Sequence, residues 1–140
     1  MQLVMTEADL AAFLVREFPQ VAEDFALERL TAEGIVMRLR VAERHLRPGG
    51  TVSGPNIFAL ADVAVYLALL ARIGPVALAV TTGASIDFLR KPEAGRDLIG
   101  SARLLKLGRV LVVGDVLVRS DGGDEPIARA SMTYSIPPKR

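Results

Sequence analysis

Apolar and polar residues change their period several times along this chain, and each change marks an element. Between Thr6 and Pro19, the residues Leu10, Phe13, Leu14 and Phe18 recur at helical spacing behind an acidic opening of Glu7 and Asp9. That pattern predicts an amphipathic helix with Thr6 as its N-cap and Pro19 as its stop. Residues 25–30 and 35–41 read as two strands joined by a Glu33-Gly34 turn, the second alternating apolar residues with Arg38 and Arg40. Residues 42–54, which include Pro48-Gly49-Gly50, predict a loop. Four later runs, 78–89, 97–106, 109–119 and 127–136, read as strands, the last three as a meander, because turn compositions such as Asp121-Gly122-Gly123-Asp124 separate them. In 110–118 both faces are mostly apolar, as in a central strand covered on one side by a helix and on the other by a second subunit.

Between the loop and these strands lies the longest apolar run, residues 53–72, with no polar face between Pro55 and Arg72. Alanine and leucine favour helix, Pro55 suits a first turn where a missing N–H costs nothing, Ser53 is placed to cap it, and Gly74-Pro75 stops it. A helix apolar on every side must be wrapped by protein or lipid. A bilayer span asks for roughly 20 apolar residues and disfavours an acid at its centre, where this run carries Asp62. The run is therefore expected to be the buried central helix of a soluble protein, with no membrane partner. Its one carboxylate must be paired, hydrogen-bonded or functional.

The 140 residues fit a single domain, 1–140, with an N-terminal helix inside 1–20 and a central helix over 54–72 in an α+β layout. Seventeen basic against sixteen acidic residues leave no nucleic-acid footprint. Zero cysteines exclude disulfides and thiolate chemistry, and one histidine, His45, leaves no His-rich metal cluster, so neither metal nor cofactor is expected. His45 sits in the polar stretch Ala42-Glu43-Arg44-His45-Leu46-Arg47 and reads as part of a solvated loop. The N-terminal residues do not form a secretory signal, so a cytoplasmic location is expected. Hydrophobic residues make up 51% of the chain and mean hydropathy is +0.35, an excess that points to a buried subunit interface.

Two segments carry a family resemblance. Ser53-Gly54-Pro55-Asn56-Ile57-Phe58-Ala59-Leu60-Ala61-Asp62 resembles the His-Gly-Gly-x-x-Phe-x-Leu-Ala-Asp that opens the central helix of hotdog-fold thioesterases of the PaaI type. Residues 79–92, with Ser85-Ile86-Asp87-Phe88-Leu89-Arg90-Lys91-Pro92, are similar to that family's strand ending in Ile-Asp-Phe-Leu-Arg-Pro. The resemblance runs from about residue 25 to residue 136, and it implies an antiparallel sheet wrapped around the central helix and hydrolysis of acyl-CoA thioesters by a homodimer or homotetramer.

The same resemblance implies roles. Asp62 matches the carboxylate that activates water or attacks the thioester itself. Gly54 matches the glycine whose N–H polarises the carbonyl, and Thr82 the hydroxyl that orients water from a neighbouring subunit. Asn56 and Ser53 stand at the mouth, Arg47 in the register of a substrate-contacting asparagine, and Arg90, Lys91 and Arg109 are candidates for the CoA phosphates. Ser53 and Pro55 depart from the family pattern, and Pro55 removes one N–H donor. Two alternatives remain on the same fold: a non-catalytic acyl-CoA-binding or sensing module, and a hydratase that would have to use His45.

Overall fold

A computed structural model describes residues 2–138. The chain opens with α1 (Glu7–Glu17), whose N-terminus is closed by a reciprocal pair: the Asp9 N–H donates to Thr6 Oγ1 at 3.0 Å and the Thr6 N–H to Asp9 Oδ2 at 2.9 Å. Those bonds with Thr6 hold the Asp9 carboxyl below its ordinary value. Leu10, Phe13 and Leu14 bury the inner face of α1. Helix α1 stops before Pro19, as the sequence predicts, with Phe18 as its C-cap. Pro19 then starts a second short helix, α2 (Pro19–Ala22), because proline at a first helical position needs no N–H partner.

The hairpin of β1 (Phe25–Leu30) and β2 (Ile35–Leu39) follows, in antiparallel register Leu30↔Ile35 to Phe25↔Leu39. The long helix α3 (Gly54–Ile73) comes next and then β3 (Val80–Phe88), β4 (Leu98–Leu107), β5 (Leu111–Ser120) and β6 (Pro126–Ser135). The six strands form one antiparallel sheet in the order β1-β2-β4-β5-β6-β3. The last three strands are the expected meander, and β3 takes the edge beyond β6.

The sheet curls around α3. Helix α3 has the length and composition of a membrane span, but Leu60, Ala61, Ala64, Val65, Leu67, Leu69, Leu70 and Ala71 are fully buried against the sheet, so it is the core of the domain. Gly74, at φ 97°, stops the helix with its N–H on Leu70 O at 2.8 Å. Along β5, Val112, Gly114, Val116 and Val118 face α3, while Leu111 and Leu117 on the other face are about half exposed, so a single chain covers only one side of its central strand. Arg38 on β2 ties the strand ends together through Glu28 at 2.8 Å, Asp97 at 3.0 Å and Asp121 at 2.8 Å.

Candidate active site

Helix α3 delivers Asp62 to the sheet beside the β3–β6 pair, where Thr81 and Tyr134 are direct cross-strand partners. Thr81 donates to Asp62 Oδ1 at 2.6 Å, and the Tyr134 hydroxyl lies 2.8 Å from the same oxygen and 3.0 Å from the Asp62 carbonyl. Both donors converge on Oδ1. Oδ2 takes no hydrogen bond among the described residues and is the free oxygen of the carboxylate. A carboxylate among apolar neighbours needs such donors to hold its charge, and the sequence led us to expect one.

The Tyr134 ring stacks on Tyr66 with centroids 5.9 Å apart, and Tyr66 donates to Ala77 O at 2.9 Å. Burial pushes the Tyr134 hydroxyl well above its ordinary value, with the Asp62 charge adding to the effect. Burial also raises Tyr66, with help from the charge of Glu17. Above about pH 10 the unfolded chain releases a tyrosine proton that folded Tyr134 retains, so each further pH unit lowers stability by about 1.4 kcal/mol. Alkaline denaturation measured by circular dichroism is therefore expected to begin near pH 10 and to be shallower for Tyr134→Phe. An equal slope in both proteins would remove Tyr134 as its source.

A cleft of about 330 Å³ opens over the carboxylate, lined by Asp62, Val63, Tyr66, Ala77, Thr81 and Tyr134, with Phe18 and Gln20 closing it from the α1–α2 turn. The ring of Phe18 meets Tyr66 edge-on at 6.4 Å. The N-terminal helices thus form one wall, which the sequence did not assign to them.

Several candidate residues lie elsewhere. Thr82 is exposed, its Oγ1 3.5 Å from Thr133 O, and within the one chain Thr81 is the threonine that reaches Asp62. Asn56 is not offered at the mouth: its Nδ2 donates to Ser53 Oγ at 2.8 Å and to His45 O at 3.2 Å, which also occupies Ser53. Arg47 is an exposed residue of the loop, where its backbone pairs with Thr51 O. His45 is not solvated: it is 2% exposed, its Nδ1 accepts from the Ala42 N–H, and it does not line the cleft, which counts against a hydratase role.

The basic set is divided. Since Val80 and Leu111 both pair with Ser135, Arg109 lies past the Val80 end of β3. Arg90 and Lys91 follow its Phe88 end, about 25 Å away at roughly 3.3 Å per residue, and Arg90 is paired with Glu125 at 2.6 Å. Gly54 belongs to the Phe88 end as well, since a Cβ there would sit 3.3 Å from the Phe88 ring. The Gly54 N–H has no acceptor among the described residues.

The model of the thioesterase superfamily matches residues 49–127, from the loop before α3 to the start of β6. The chain belongs to that superfamily. The thioesterase fold is shared with a candidate thioesterase of Silicibacter sp. TM1040, at a TM-score of 0.93 and 61% identity over 99% of this chain and 96% of that one. A mutant of the phenylacetic acid degradation protein PaaI from Thermus thermophilus gives a TM-score of 0.71 at 28% identity, covering 84% of this chain and 97% of that one. A candidate esterase of Pseudomonas aeruginosa is 31% identical over 103 residues, which is 74% of this chain and 75% of that protein. The fold is therefore the hotdog of PaaI-type thioesterases, and the chain is a thioester hydrolase by family.

Proposed function

We propose that this thioesterase hydrolyses acyl-CoA thioesters by general-base attack of water, with Asp62 Oδ2 as the base. The observation that carries the reading is the pair of hydroxyls on Asp62 Oδ1, which fixes the carboxylate and leaves Oδ2 free in the cleft. With its hydrogen directed at Asp62, Thr81 Oγ1 keeps lone pairs for a water, so one water can donate to Oδ2 and to Oγ1 together. That water attacks the thioester carbon and its proton passes to Oδ2. Collapse of the tetrahedral adduct expels the CoA thiolate, which takes the proton back from Asp62.

The oxyanion needs a donor of its own, and the Gly54 N–H at the positive end of α3 is suited to it. Gly54 and Asp62 are eight residues apart on one helix, about 12 Å at a rise of 1.5 Å per residue. No single carbonyl touches both. The reading therefore takes Gly54 from a second copy of the chain, and with it the Arg90–Lys91 end of β3 for the CoA phosphates. The exposed outer face of β5 leaves room for dimers to pair further into a tetramer.

The test is release of free thiol from short, medium, long and aromatic acyl-CoAs. Thr81→Ala is expected to lower kcat about tenfold and Thr82→Ala to leave it within about twofold. Tight acyl-CoA binding with no thiol release from any substrate would replace hydrolysis with a binding or sensing role, and the reverse ranking of the two threonines would move the water to Thr82.

A further inference from the structure

His45 is a buried titratable side chain that the hydrolytic mechanism leaves unused. It ends a single 3-10 turn, Glu43–His45, in the loop between β2 and α3. The Nδ1 atom accepts from the Ala42 N–H at 2.8 Å, so it carries no proton and the ring proton belongs to Nε2. Nε2 faces Asp24 Oδ1 at 3.3 Å, off the line of a hydrogen bond, and Asp24 is also paired with Arg44. Burial would raise Asp24, but Arg44 and His45 outweigh it and hold the carboxyl below its ordinary value. The ring is thus hydrogen-bonded by its own turn and faces the carboxylate of the residue that precedes β1.

The backbone of the same residue reaches the active helix. The His45 carbonyl accepts from the Ser53 N–H at 2.9 Å and from Asn56 Nδ2 at 3.2 Å, and Asn56 Nδ2 also donates to Ser53 Oγ at 2.8 Å. Ser53 and Asn56 bracket Gly54 and Pro55, the first two residues of α3. Ser53 makes no side-chain cap of its own on α3, so the direction of this first turn is set by the His45 carbonyl.

We propose that His45 is a positioning residue for the Gly54 N–H: its imidazole holds the Ala42–Leu46 turn, and through its carbonyl the turn aims the first residues of α3 at the thioester oxygen. The proposal rests on the reading of Gly54 as the oxyanion donor. A displacement of about 1 Å at a reacting group can cost about a hundredfold in rate, which a loosened first turn would produce without touching substrate affinity.

Two variants separate this role from simple packing. His45→Asn keeps an acceptor near the Nδ1 position, whereas His45→Leu fills the space and leaves the Ala42 N–H without one. With the best substrate of the acyl-CoA panel, His45→Leu is expected to lose about ten- to a hundredfold in kcat with KM within about threefold, and His45→Asn to stay within about threefold in both. Amide hydrogen exchange supplies a readout independent of turnover. In His45→Leu, exchange should speed up over residues 53–57 and stay unchanged over residues 60–70, and His45→Asn should match the wild type. Unchanged kcat and exchange in His45→Leu, equal losses in both variants, or faster exchange along the whole of α3 would overturn the proposal. If the wild type releases no thiol from any acyl-CoA, the Gly54 reading fails by itself, while the exchange comparison still decides whether His45 holds the turn.

Discussion

Replacing Asp62 with asparagine is expected to lower kcat by about 10³-fold, the range for loss of a positioned general base. Asparagine keeps the shape, and its Oδ1 can still accept from Thr81 and Tyr134, so the two bonds that fix the side chain survive. What disappears is the basic oxygen, since an amide nitrogen stands where Oδ2 was. KM should hold within about threefold and the melting temperature within about 2 °C, because an isosteric change leaves the packing of α3 alone. Thiol release by wild type and Asp62→Asn, with thermal melts of both, checks all three quantities. Equal rates on every acyl-CoA would end the catalytic claim for Asp62.

The second large effect concerns the fold. Gly34 closes the β1–β2 turn where β2 runs beside β4, and a Cβ on it would lie 2.2 Å from the backbone oxygen of Ala102. Ala102 O belongs to a strand held on both sides, by β2 and by β5, so it cannot step aside. Gly34→Ala must therefore part the β2–β4 seam. Overpacking of a well-packed interior costs roughly 1–3 kcal/mol and more where the backbone is the obstacle. We expect about 3 kcal/mol, which for a chain of this size lowers the melting temperature by about 10 °C. A melt of Gly34→Ala within about 2 °C of wild type would mean that the turn has an alternative path.

The apolar pattern carried most of the architecture. The 53–72 run announced α3 because no polar face interrupts it, and the alternation of 35–41 with the Glu33-Gly34 turn announced the hairpin. The site was harder to read, for reasons that can be named. Asp62 stood out as a carboxylate alone in an apolar helix, but its partners come from strands 19 and 72 residues further on, which helical spacing cannot connect. Tyr134, on the inner face of β6, looks like any core aromatic until its hydroxyl is found on Asp62.

The resemblance pointed to Thr82 acting from a neighbouring subunit, whereas within one chain Thr81 is the threonine on Asp62. The β3–β6 register shifts between Thr81 and Gly83, and the extra residue there turns Thr81 inward. His45 was misread because polar neighbours in a loop predict solvation, while its buried ring faces Asp24, which lies before β1 and far from it in sequence.

The 12 Å along α3 between Gly54 and Asp62 also has a genetic meaning. If each site joins the base of one chain to the helix start of another, every dimer holds two sites with opposite parentage. A chain lacking the Asp62 carboxylate and a chain carrying Gly54→Pro would each be inactive as a pure population. Expressed together, they would rebuild one complete site per mixed dimer, so two loss-of-function alleles of this thioesterase should complement each other within a single cell.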